Sequence, residues 1–165
     1  MPAMAIAIRD ADFADPTHRD GIVTVLGSYA ADPMGGGAPL AADVQARLVG
    51  GLKAHPTTLV LLACDGATPV GVAVCFVGFS TFAARPLLNV HDLAVLPEYR
   101  GRRIGRALLA AAEERARAFG CCKLTLEVLD DNRRARALYE RFGFRDVALG
   151  ASAFTRFLAK PLIEP

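Results

Sequence analysis

The stretch that most constrains this chain is a strand handing over to a helix across Pro97-Glu98-Tyr99-Arg100-Gly101-Arg102-Arg103-Ile104-Gly105-Arg106. The apolar run Leu87–Val95 precedes it. An apolar stripe at Ile104, Leu108, Ala112, Ala116 and Phe119 follows at helical spacing and stops at Gly120. Four arginines and two glycines lie within residues 100–106. A helix N-terminus presents unpaired N–H groups and a partial positive charge, which suit phosphate, and glycine lets the backbone approach a ligand closely. The junction therefore predicts an anion-binding loop at the head of a helix. Neither G-x-x-x-x-G-K-[ST] nor G-x-G-x-x-G occurs, so nucleoside-triphosphate and dinucleotide loops are excluded.

Charge is distributed to match. Residues 1–99 hold nine acidic and five basic side chains, whereas residues 100–145 hold twelve basic and six acidic. The basic segment points to an anionic ligand, with a solvated helical surface as the plainer account. A length of 165 residues with 53% hydrophobic and 22% charged residues predicts one globular domain over residues 1–165. The longest apolar runs are too short to span a bilayer, and no basic segment precedes the first apolar residues. A cytoplasmic protein without a membrane partner is expected. No cysteine pair has C-x-x-C or zinc-ligand spacing, so no metal is expected and the four cysteines read as buried small hydrophobes.

Along the chain, the pattern predicts a strand over Ala3–Ile8, helices over Asp12–Ala30 and Leu40–Ala54, and a hairpin of Leu59–Cys64 with Val70–Gly78. Asp32–Pro39, with Gly35-Gly36-Gly37, is a flexible break between the helices. Strand Leu87–Val95, helix Ile104–Phe119 and strand Leu124–Val128 follow. Asn132 is placed to cap a helix ending before Gly143, and Phe144–Leu149 and Ala153–Leu158 read as closing strands. Strands alternating with helices make this an α/β (α+β) sheet protein.

From about Asn89 to Phe144 the sequence resembles the GNAT superfamily of acetyl-CoA-dependent N-acetyltransferases. The resemblance rests on the strand followed by Pro97–Ala107, then Glu127-Val128 before Asn132, then Ala135, Leu138-Tyr139 and Phe142-Gly143-Phe144. The Asn89–Leu109 block is most similar to the branch of spermidine/spermine and related small-amine acetyltransferases. The resemblance implies a mixed, mostly antiparallel central sheet with splayed strands, flanked by helices. It also implies acetyl-CoA as cosubstrate, a small-molecule or peptide amine as acceptor, and a possible homodimer. In that family a Q/R-x-x-G-x-G/A loop binds the coenzyme A pyrophosphate. Here Arg100, Gly101, Arg102, Arg103, Ile104, Gly105 and Arg106 form it, with Arg103 where the first glycine is usual. Two backbone states are open at Arg103: left-handed, or an ordinary helix start with the guanidinium on phosphate. The crowding of arginines favours the second.

The resemblance further implies that Leu93, Ala94 and Val95 offer backbone groups to the pantetheine arm and thioester, and that Asn132 and Ala135 contact coenzyme A. Tyr139 matches the family tyrosine that protonates the departing thiolate; a phenol near pKa 10 is protonated at neutral pH. Its alternative role is packing. His91 and Asp92 are the candidates for the base. As neighbours on a strand they should point to opposite faces, so one alone should meet the substrate. An imidazole near pKa 6.5 suits base work, while Asp92 reads as a carboxylate anchoring backbone donors. The resemblance also implies that the segment between the first two helices, with Gly35-Gly36-Gly37, borders the acceptor, and Asp32 and Asp43 nearby could attract a cation. The other classes to weigh are a non-catalytic acyl-CoA-binding regulator on the same fold and a nucleic-acid binder using Arg133, Arg134, Arg136 and Arg141. Glu140 and the net charge of +2 argue against nucleic acid.

Overall fold

Proline and glycine punctuation sets where elements begin and end. A computed structural model describes residues 5–147 and 156–163. Strand β1 (Ile6–Asp10) leads into helix α1 (Pro16–Ala31), whose first position is Pro16 and whose cap, Asp15, accepts the Thr17 N–H. Helix α2 (Ala42–Ala54) follows the triglycine break. Strands β2 (Thr58–Asp65) and β3 (Thr68–Ser80) form the expected hairpin. Strand β4 (Arg85–Val95), a 3-10 turn (Pro97–Tyr99), helix α3 (Ile104–Ala118), strand β5 (Leu124–Leu126) and helix α4 (Arg133–Phe142) follow among the described residues.

The sheet runs β1-β2-β3-β4-β5, antiparallel except for the parallel β4–β5 pair. The mixed, mostly antiparallel sheet flanked by helices is therefore present. One face buries Leu61, Ala73, Cys75, Leu88 and Val90 under the α3 stripe of Ile104, Leu108, Leu109 and Ala112. The other buries Val60, Leu62, Val72 and Val74 under Ile22, Val25 and Leu26 of α1 and Leu52 of α2. Each valine, leucine or isoleucine among them contributes about 1.5–3 kcal/mol when fully buried.

Two features of β4 shape what lies beside it. Its pairing with β5 covers only Leu88–Val90 against Leu124–Leu126. Beyond Val90 its outer edge has no strand partner among the described residues. Second, Cys75 pairs with Val90 but Val74 pairs with Asp92, so His91 is an extra residue in a β-bulge. Residues directly opposite across a pair share a face. Asp92 therefore lies on the Val74 side, toward α1 and α2. His91 meets the ring of Phe76 on that same side, with centroids 5.5 Å apart. The expectation that His91 and Asp92 point to opposite faces is overturned, because the bulge breaks the alternation between them.

Other boundaries differ modestly. β1 is described from Ile6 to Asp10, past the expected end at Ile8, and β5 stops at Leu126 instead of Val128. The closing strands expected over 144–149 and 153–158 fall partly outside the described residues; 144–147 and 156–158 are not in strand. Cys64 and Cys75 are buried as expected, Cys121 is half-buried, and Cys122 is exposed in the connection from α3 to β5. Among the described residues no helix is long and apolar enough to cross a membrane.

Candidate active site

Where β4 and β5 part, four segments line one cleft of about 920 Å³. They are Leu93–Val95 of β4, the 100–106 loop, Asn132–Tyr139 around the start of α4, and Tyr29 and Asp32 at the end of α1. Of the residues singled out from the sequence, Leu93, Ala94, Val95, Arg100, Gly101, Arg103, Ile104, Gly105, Arg106, Asn132, Ala135 and Tyr139 meet here. His91, Asp92 and Arg102 do not line it.

The loop is built to leave donors free. Gly101 has φ +79° and Arg103 has φ +62°, flanking Arg102. Among the described residues, the N–H groups of Gly101 through Arg106 reach no acceptor. Successive unpaired amides of this kind form an anion-binding concavity ahead of the helix dipole of α3. The left-handed Arg103 corrects the preference for an ordinary helix start. A non-glycine residue there costs roughly 1–2 kcal/mol. Its side chain is exposed and forms no hydrogen bond or ion pair among the described residues. Arg103→Gly should therefore raise the Tm by roughly 2–4 °C per kcal/mol recovered, while flattening the salt dependence of anion binding. Thermal unfolding and titrations at two ionic strengths measure both.

The remaining arginines have separate employment. Arg100 donates through Nε to the Val95 carbonyl at 3.1 Å and pairs with Asp32 at 3.0 Å. Arg102 donates to the Glu98 carbonyl and stacks over Tyr99 at 4.8 Å. Arg106 lies over Phe142 at 5.9 Å. Gly105 has a packing reason for its identity: a Cβ there would stand 3.1 Å from the Leu138 side chain. The carboxylates expected to attract a cation are both engaged, Asp32 with Arg100 and Asp43 with Arg47.

On the opposite wall, Asn132 caps α4 by accepting the Ala135 N–H at 3.2 Å. One turn on, Tyr139 is half-buried with its ring edge-on to Phe144. Burial, then the neighbouring Tyr29, push its phenol up to about 12. Asp92 is also half-buried, and its carboxylate accepts no hydrogen bond among the described residues. The anchoring of backbone donors expected of it is thus not found there. Burial holds its pKa above the usual carboxylate range, opposed by His91. Tyr29 lies within electrostatic reach of both groups. Burial, Asp92 and then Asp32 raise its pKa, and it lines the cleft with Tyr139. The sequence does not single out Tyr29, because it completes the apolar α1 stripe of Ile22, Val25 and Leu26 and reads as core.

The sequence profile of the acetyltransferase (GNAT) family matches residues 29–144, from Tyr29 at the cleft to Phe144 behind Tyr139. The chain belongs to the GNAT family. Among curated relatives, thialysine N-epsilon-acetyltransferase of Bos taurus is 38% identical over 83 residues, which cover 50% of this chain and 48% of that one. The match thus spans about half the length of that relative. A transcriptional regulator from Bacillus halodurans C-125 shares the fold at 22% identity and TM-score 0.75, covering 92% of this chain and all (100%) of its own. AAC(6')-Iy, solved with the bisubstrate analogue CoA-S-monomethyl-acetylneamine, superposes at TM-score 0.71 and 15% identity over 94% of this chain and 99% of its own. At these identities the two structures speak for the GNAT fold alone. Among the described residues no cluster of His, Cys, Asp or Glu is placed to hold a metal ion.

Proposed function

We propose that this GNAT chain is an N-acetyltransferase that moves an acetyl group from acetyl-CoA to a primary amine. The observation that carries the reading is the row of unpartnered amides from Gly101 to Arg106, all but Arg102 belonging to residues that line the same cleft as a protonated, half-buried tyrosine. The amides and Arg103 would hold the pyrophosphate, with Arg106, Arg133, Arg134 and Arg141 adding positive charge along the cleft. Asn132 and Ala135 at the head of α4 border the coenzyme, and the edge of Leu93–Val95, without a strand partner among the described residues, supplies backbone hydrogen bonds to the pantetheine arm and thioester beside the Val95 carbonyl that Arg100 holds.

Acetyl-CoA supplies an activated acetyl group as a thioester. The chain's own residues hold the two reactants together, which lowers the barrier by fixing their relative orientation. Asp92, which stands behind the cleft, takes through water or Tyr29 the proton that the amine nitrogen loses as its bond to the acetyl carbon forms. Tyr139 gives its proton to the sulfur as the carbon–sulfur bond breaks. The products are the N-acetyl amine and free coenzyme A thiol, so protons balance once Tyr139 recovers one from Asp92 or solvent. His91, exposed beside Phe76, borders Asp92 and tunes it. The similarity to relatives named for thialysine N-epsilon acetylation supports a small primary amine as acceptor.

A thiol-release assay with acetyl-CoA across a varied amine panel tests this reading. Turnover with at least one amine is expected. Coenzyme A binding without turnover on any amine would instead favour an acyl-CoA-binding regulator. Coenzyme A at about a hundred times its Kd should stabilise the fold by about 2.7 kcal/mol, a Tm rise of roughly 5–10 °C. Pantetheine, which lacks the pyrophosphate, should do far less. No shift at saturating coenzyme A would remove the basis of the proposal.

A further inference from the structure

We infer that Arg100 is a positioning residue that couples the loop bordering the acceptor side to the pyrophosphate loop. This rests on the reading of residues 100–106 as the coenzyme A loop. The sequence places Arg100 among the ligand-binding residues, yet its guanidinium is already committed in two directions. Nε donates to the carbonyl of Val95, the last residue of β4, at 3.1 Å. Nη2 donates to Oδ2 of Asp32 at 3.0 Å, in an ion pair whose side chains are only 32% and 21% exposed.

Asp32 is the organiser of the turn after α1. Its N–H donates to the Tyr29 carbonyl at 3.1 Å. Its Oδ1 accepts the Met34 N–H at 2.9 Å, and its carbonyl accepts from Gly35 at 2.8 Å and Gly37 at 3.1 Å. One guanidinium thus joins the end of β4, the end of α1 and the Met34–Gly37 turn, while its own backbone immediately precedes the row of free amides that starts at Gly101. The task needs a rigid fork with donors in two directions; a lysine ammonium on a flexible stem lacks that geometry. An anion that orders residues 101–106 also fixes the backbone from which Arg100 reaches Asp32. Ordering on one side therefore favours ordering on the other, and the coupling is reciprocal. The cleft would be primed on its acceptor side by the arrival of coenzyme A.

Hydrogen exchange of the full chain, with and without coenzyme A, tests this without knowledge of the acceptor. In the wild type, coenzyme A should slow exchange at 101–106 and also, by roughly fivefold or more, at 34–37. Asp32→Asn and Arg100→Lys should retain the slowing at 101–106 and lose most of it at 34–37. The ligand-induced ratio is the readout, since a merely structural tie would change basal exchange and leave that ratio alone. Equal slowing at 34–37 in wild type and both variants would overturn the inference, as would its absence from a wild type protected at 101–106. No protection at 101–106 in the wild type would overturn the coenzyme A reading first, and the coupling with it.

Discussion

Tyr139→Phe is expected to lower turnover roughly ten- to a thousandfold while coenzyme A affinity stays within about a factor of two. The substitution removes one hydroxyl and keeps the ring that packs edge-on to Phe144, so the fold loses little. With its pKa raised to about 12, mainly by burial, the phenol holds its proton across the working range. No alkaline limb below about pH 11 should come from it. A raised pKa weakens an acid in water, but the cleft that desolvates Tyr139 also raises the basicity of a thiolate leaving beside it. Donor and acceptor move together. Steady-state kinetics with calorimetric coenzyme A titration decide the matter, and a variant with wild-type turnover would return Tyr139 to packing.

Asp92→Asn should cost about 10²–10⁴ in turnover and at the same time raise the Tm at neutral pH. The opposite signs share one cause. Burial raises the Asp92 pKa above its unfolded value, so between the two values the folded state binds more protons than the unfolded one. Stability is greatest below the ordinary carboxylate range and falls as pH rises through the raised pKa. Asparagine carries no charge to desolvate, so the variant should lack that fall. In the wild type the acidic limb of the rate profile should lie above the usual carboxylate range, because the base works only when ionised. His91 opposes the shift, so His91→Ala should move that limb to still higher pH with acetyl-CoA binding retained. A limb that stays in place would detach His91 from the chemistry. Undiminished turnover in Asp92→Asn would leave the proton to water or to an amine arriving neutral.

Much of this was legible in the sequence because it rests on local rules. The α3 stripe from Ile104 to Ala116, the hairpin, the Asn132 cap and the basic loop each follow from the spacing of a few residues, and each is present; Phe119, expected to end the stripe, lies exposed just past the helix. What the sequence hides is set by tertiary geometry. Four arginines in one loop look alike as letters, yet one bridges to α1, two lie on aromatic rings and only Arg103 is left without a partner among the described residues. The left-handed backbone at Arg103 is equally invisible, since an arginine gives no local signal for it. Asp32 looks like a free acidic group 68 residues away from its partner Arg100. Tyr29 looks like core because the stripe that buries α1 also carries it to the edge of the cleft.

The extra residue in β4 has a consequence for how this chain can vary. Before the bulge, even-numbered positions such as Leu88 and Val90 are buried under α3; after it, odd-numbered Leu93 and Val95 take that side. The strand changes reading frame at residue 91. Replacing a letter at 91 or 92 alters the chemistry offered to the α1–α2 side but leaves every other side chain on its face. Removing one of these two letters would restore strict alternation, with the remaining one and Ala94 still on the α1–α2 side, Leu93 and Val95 still under α3, and the pairing with β3 unchanged. This wall of the site can therefore vary in identity, and by one letter in count, without turning its neighbours, and an alignment that closes a one-residue gap here would compare side chains from opposite sides of the sheet.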